Sequence, residues 1–382
     1  MKYGGHCEYL TTAPSFSGTS PTTSPQNLQS LAPSKRGDSS SVVLSGILDL
    51  ESPRLAEETD VETPTISPAL LRNLELMHHY TAYTSLTIAD FATLNHIWQN
   101  VIPAEALSHT FLMYGILALA ASHIAHDRPQ VKDLYTPVAL QYYNVAIASF
   151  RSALKKVDAD NCTALFGFST ILIVLSFAFA QSPPPTQSQS PVEDLIQIFT
   201  LLQGVRVVLQ SAMPWVSKGP LSPLLQRDAV QNSDAATNSI HIPQDFDEAL
   251  TRLREYNECT FETADSHEMH SQAIQSLRVC VEKVKANPGN RAAAINWLVF
   301  LESSYVSSLK DNQPLALVIL AHYGIVLHGL RDSWFVQGLG TRVIEVVHLS
   351  LSEKWRPLVH WPMEQVGLRG EPREEKKTTA PG

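Results

Sequence analysis

Residues 111–125 read FLMYGILALAASHIA. Large side chains, Phe111, Leu112, Ile116, Leu119 and Ile124, are interleaved with small ones, Gly115, Ala118, Ala120 and Ala121. Small residues between large ones let neighbouring helices approach closely, so the stretch reads as a helix packed among other helices. A second apolar run, Ala164 to Ala180, has the same character and carries Gly167, Ser169, Thr170 and Ser176. It is shorter than the ~20 apolar residues a membrane span needs, so it reads as a buried core helix and no membrane span is expected.

Working outward, helix starts recur. Ser67 can cap a helix and Pro68 suits its first turn, where an N–H is not needed. Leu70, Leu71, Leu74, Leu76 and Met77 follow in largely helical spacing. Pro103 precedes the run at Phe111, and Pro129 precedes a helix to about Val157. Asp160 and Asn161 are placed to cap the helix ending at Ala180. Ser190 and Pro191 open another, with Glu193 and Asp194 near the positive end of its dipole. Pro243, Asn287–Pro288 and Pro314 mark further starts. Loops are expected at 181–190 and about 213–242. No stretch combines period-two alternation with hairpin turn residues. The fold class expected for residues 66–366 is therefore all-α, roughly ten helices packed on one another.

The flanks differ. Residues 11–65 are rich in Ser, Thr and Pro and nearly free of aromatics, which predicts a disordered linker. Its apolar patch, Val42 to Leu50, reads as an unstructured stretch, with a transient helix or a docking motif as the alternative. Residues 367–382 are expected to form a loose polar tail. Across the 382 residues, 44% are hydrophobic, 17% are charged and the net charge is −9. That balance argues against holding nucleic acid by bulk electrostatics, which takes a basic surface.

Motifs that would carry catalysis are incomplete. Four cysteines, Cys7, Cys162, Cys259 and Cys280, show no metal-ligand spacing among themselves. His267 and His270 lie one residue too close for a zinc-protease pair and read as a solvated helix face. His109, His123 and His126 could approach one another, although a helix end suits the last two. Gly167-Phe-Ser169 lacks the second glycine of a nucleophile elbow. Gly338-Leu-Gly340 lacks the third glycine of a dinucleotide loop. Asp127, Asp133, Asp158 and Asp160 are scattered rather than grouped for metal–diphosphate chemistry. No catalytic residue is assigned, and the chain is not expected to be an enzyme.

Two stretches carry a family resemblance. Residues 1–9, MKYGGHCEY, resemble the end of a fungal binuclear zinc cluster, in which six cysteines share two zinc ions. Cys7 stands where the sixth ligand belongs, and residues 1–10 would be the remnant of that module. One cysteine cannot hold a cluster that folds only with its metal. Zinc and promoter DNA are therefore expected only with a complete cluster, and the chain as written is expected to lack sequence-specific DNA binding. The second stretch is the helical region itself. Ser67-Pro68 with Leu70, and Glu75 to Tyr80 (ELMHHY), resemble the opening of the regulatory domain of sterol uptake control proteins. Trp98, Pro103, residues 111–125, residues 316–323 (ALVILAHY), Trp334, Trp355 and Trp361 follow in that family's order.

The resemblance implies a fungal zinc-cluster transcription regulator of sterol or secondary-metabolite genes, sited in the nucleus with a cytosolic pool before activation. It also implies a homodimer and a sterol ligand. The pocket would lie between residues 111–125, 164–180 and 315–330 and the C-terminal tryptophan segment, with its contacting side chains unassigned. Read alone, the same residues say helix packing, and two alternatives stay open. One is an all-α interaction protein that pairs with related regulators without binding DNA. The other is an all-α enzyme with an unrecognised site.

Overall fold

Ser67 ends the chain's extended approach to the first helix. Its hydroxyl accepts from the Leu70 amide at 3.2 Å, and Pro68 occupies the first turn of α1 (Pro68–His79). The computed structural model describes residues 66–181, 191–226, 240–260 and 263–368. The expected linker, Cys7 and all of the expected tail but residues 367 and 368 lie outside these residues. Every regular element among the described residues is helical, as expected.

After α1 come the short α2 (Ser85–Ile88) and α3 (Ile102–Ala106), then α4 (Thr110–Asp127), α5 (Lys132–Ala153), α6 (Cys162–Ala180) and α7 (Pro191–Val216). The second half holds α8 (Phe246–Thr260), α9 (Ala264–Ala286), α10 (Arg291–Phe300), α11 (Ser303–Lys310), α12 (Pro314–Gly329), α13 (Leu339–Ser350) and α14 (His360–Gln365). Helix α4 pairs with α5 along its length and also meets α1 and α6. Helix α7 packs on α6 and touches α10, α11 and α13, so it joins the two halves.

The two decisive apolar runs became core helices. Side chains of α4 from Phe111 to Ala125 are mostly buried all round, and so are those of α6. Helices α6 and α7 are each long and apolar enough to cross a membrane, but 67% of the α6 span is buried against other helices. Gly115 shows why small residues alternate there. A Cβ at that position would sit 2.6 Å from the Phe168 ring of α6. The same device joins α12 to α13, where a Cβ on Gly324 would lie 2.6 Å from Ile344.

Several expectations needed adjustment. Asn161 stands at the start of α6 but does not cap it with its side chain. Its amide instead accepts from the Asp158 N–H at 3.1 Å and donates to the Lys156 carbonyl at 2.7 Å. Helix α5 stops at Ala153, and α7 continues through Pro214 to Val216, where a loop was expected from 213. Helix α1 leaves Leu70, Leu71 and Leu74 about half exposed. Leu76, fully buried, anchors it in the core, and polar contacts add to that hold. Tyr142 donates to Asn73 at 2.5 Å and Tyr135 donates to Glu75 at 2.6 Å.

Between α1 and α4 the helical path is wider. Tyr80–Thr84 and Ile97–Val101 are π-helical turns. Hydroxyls compete for the carbonyls there: Thr81 donates to Met77 O at 3.1 Å and Ser85 to Thr81 O at 3.2 Å. Such turns reposition side chains and occur often at functional sites. Here Tyr80 and Thr84 of the first turn and Ile97 and Trp98 of the second are buried.

Candidate ligand cavity

An apolar cavity of about 310 Å³ lies between α6, α7 and α10. Phe166, Thr170, Ile173 and Val174 of α6 form one wall. Leu209 and Met213 of α7 and Ile295, Val299 and Phe300 of α10 form the others. Met213 is 39% exposed and Phe300 56%, so these two lie where the cavity meets solvent. Trp98 and Phe335 also line it.

One wall is polar and highly organised. Arg291 opens α10 yet is only 6% exposed. Its Nε donates to Asp90 Oδ1 at 3.0 Å, and that ion pair is buried on both sides. Nη1 donates to Thr87 O at 2.7 Å and Nη2 to Ala89 O at 2.5 Å. Nη1 also reaches Ser333 Oγ at 3.4 Å. The guanidinium fork thus ties the 87–90 turn, α10 and the 330–338 loop into one unit. Trp98 is 1% exposed, and its indole N–H has no partner among the described residues. A buried donor without an acceptor costs roughly 1–3 kcal/mol, and a bound oxygen would relieve that cost.

A second cavity, about 240 Å³, lies where the end of α4 meets α5, α6 and Trp334. Behind it is a histidine layer. His79 Nε2 lies 3.2 Å from His123 Nδ1, and Thr84 Oγ1 lies 3.0 Å from the same nitrogen. Trp334 covers His123 and His126 at ring separations of 5.0 and 5.7 Å. Its N–H donates to Thr87 Oγ1 at 2.9 Å. Burial, followed by the charge of His79, lowers His123 to about 4, and burial lowers His79 as well. Both rings are therefore neutral hydrogen-bonding groups at pH 7.

The structure redistributes the sequence candidates. His123 meets His79, whereas His109 sits at the opposite end of α4 and contacts Glu105 O at 3.1 Å. His270 is not on a solvated face. It is 5% exposed, and burial lowers it to about 4. Ser169 is fully buried within α6, far from the sharp turn a nucleophile needs. Gly338 takes φ +75° before α13, so the Gly338–Gly340 pair serves a helix start and a helix crossing. Of the expected pocket walls, α6 lines both cavities and α4 reaches the smaller one. Residues 315–330 line neither and pack into the core. The buried pair Arg291–Asp90 was missed, because 201 residues separate its members.

The described residues do not suit zinc. No group of three or more His, Cys, Asp or Glu side chains among them could hold a metal ion. Cys280 is buried, which pushes its thiol up to about 12.

Residues 75–214 match the fungal specific transcription factor domain. A Zn(2)-C6 fungal-type transcription factor of Gibberella zeae is 26% identical over 314 residues, covering 78% of this chain and 62% of that protein. Over most of its length the chain is thus similar to a fungal Zn(2)-C6 transcription factor. Sterol uptake control protein 2 of Candida albicans is 28% identical over 187 residues, covering 44% of this chain and 26% of that protein. Its namesake in Saccharomyces cerevisiae is 24% identical over 189 residues, covering 48% and 20%. The chain thus matches less than two thirds of the length of each of these regulators. The matched domain supplies the α6 and α7 walls and Trp98, whereas Arg291 and the rest of α10 lie beyond it.

Proposed function

We propose that this chain is the ligand-responsive regulatory part of a fungal transcription regulator, and that an apolar ligand bearing one oxygen fills the α6–α7–α10 cavity. The observation that carries this reading is the buried Trp98 indole, whose N–H has no partner among the described residues, lining a largely apolar cavity whose one polar wall is already tied up by the Arg291–Asp90 pair. A closed core would place carbon or an acceptor there. A sterol has the matching chemistry, a rigid hydrocarbon body with one hydroxyl, and two relatives carry sterol uptake control in their names. The volume is near the lower end for ligand pockets, roughly 300 Å³, so part of a sterol would extend past Met213 and Phe300.

In this reading residues 1–10 with Cys7 end a zinc cluster, 11–65 connect it, 66–366 sense the ligand and 367–382 follow. Zinc and promoter DNA belong to the complete cluster, which would act as a dimer in the nucleus, with a cytosolic pool before activation. The domain itself performs no catalysis. A reporter experiment tests this. The full chain, fused to an unrelated DNA-binding module, should change reporter output when cellular sterol synthesis is blocked. Ile173→Trp, which obstructs the cavity, should leave output indifferent to sterol. Output at background under both conditions would favour an interaction protein that pairs with other regulators.

A further inference from the structure

We propose that the smaller cavity, between α4, α5, α6 and Trp334, binds a small amphipathic organic anion, a carboxylate of about benzoate size. This site is separate from the one in the functional reading above, since the two cavities share no lining residue. At about 240 Å³ it holds the equivalent of about eight waters at ~30 Å³ each, enough for one aromatic ring with a carboxylate.

Its chemistry is one-sided. Lys132, His126 and Gln181 supply donors, and no aspartate or glutamate lines the space. Lys132 forms no ion pair among the described residues. The Gln181 amide nitrogen is buried and has no hydrogen-bond partner among the described residues. Burial holds His126 below its ordinary value. Asp127 opposes that, and the nearby Lys132 charge adds to it, which places Lys132 and His126 within electrostatic reach of each other. An anion between them would satisfy the ammonium, the imidazole and the orphaned amide together. Phe179, Ala125 and the Trp334 ring add apolar surface to the same lining. Trp334 precedes Phe335, which lines the larger cavity, so a ligand here would press on the same 330–338 loop that Arg291 holds.

The test is calorimetric titration of the full chain with benzoate and with neutral benzamide at matched ionic strength. Benzoate should bind saturably, and benzamide roughly tenfold more weakly, the loss expected for one charge-assisted contact. Lys132→Met, at an exposed position, should reduce benzoate affinity to that of benzamide without moving the melting temperature of the free protein. Thr136→Trp should block both probes. Equal affinity for the two probes, no saturable benzoate binding, or unchanged affinity in Lys132→Met would each overturn the proposal.

Discussion

Arg291→Ala should destabilise the protein by about 3–5 kcal/mol, the cost of leaving a buried charge without its partner. Asp90 would stay enclosed, with its side chain 4% exposed and its cation gone. The Thr87 and Ala89 carbonyls would lose their donors as well. For a domain of this size the melting temperature should fall by roughly 10 °C. Arg291→Lys should recover only part of the loss, because an ammonium cannot reproduce three separately directed contacts. Replacing both partners, Arg291→Met with Asp90→Leu, should be less damaging than either single change, since no unpaired charge remains. Thermal unfolding of these variants, with the two component single changes of the double variant, checks this. Single variants that melt within a degree or two of the parent would show that the pair contributes little.

Gly340→Ala should cost about 3 kcal/mol or more, despite gaining a better helix former. In α13 alanine is intrinsically favoured over glycine by about 1 kcal/mol, so propensity predicts the opposite sign. Packing decides the matter. A Cβ at Gly340 would overlap the Gly324 carbonyl oxygen and the His328 amide nitrogen, and would lie 2.9 Å from His328 Cα. Those atoms are backbone of α12, so no rotamer change can relieve the overlap and the two helices must part. Gly324→Ala, in contrast, meets mainly the Ile344 side chain, which can shift, and should cost less. Denaturant midpoints for both variants provide the comparison. A Gly340→Ala protein as stable as the parent would mean that α12 and α13 can separate freely.

These two sites show what the sequence could and could not reveal. Alternation of large and small residues in 111–125 exposed the helix-packing role of α4, because that rule acts through neighbours in sequence. Ser67–Pro68, Pro103 and Pro314 marked helix starts for the same reason, since capping is local. Asn161 misled because its amide found competing partners within its own turn, at Asp158 and Lys156. His270 misled because exposure depends on what packs over a helix, and the i, i+3 spacing to His267 says nothing of that. The candidate site was the least legible part. Its Asp90–Arg291 pair spans the fold, and Trp98 could be read as an anchor but not as one with an unpartnered N–H. Helix α12, as apolar as α6, was expected to face a ligand. Composition cannot separate a cavity wall from a closed core, and the structure places α12 in the core.

The central claim is that the α6–α7–α10 cavity receives an apolar ligand with one oxygen, and thermal titration of the purified chain with ergosterol tests it most directly. A ligand that binds only the folded state adds about 2.7 kcal/mol at a hundred times its dissociation constant. The midpoint should therefore climb by several degrees with ergosterol, following that saturation law, while Ile173→Trp, folded but obstructed, stays flat. An unchanged midpoint at saturating ergosterol for the parent protein, or an equal rise in Ile173→Trp, would contradict the account.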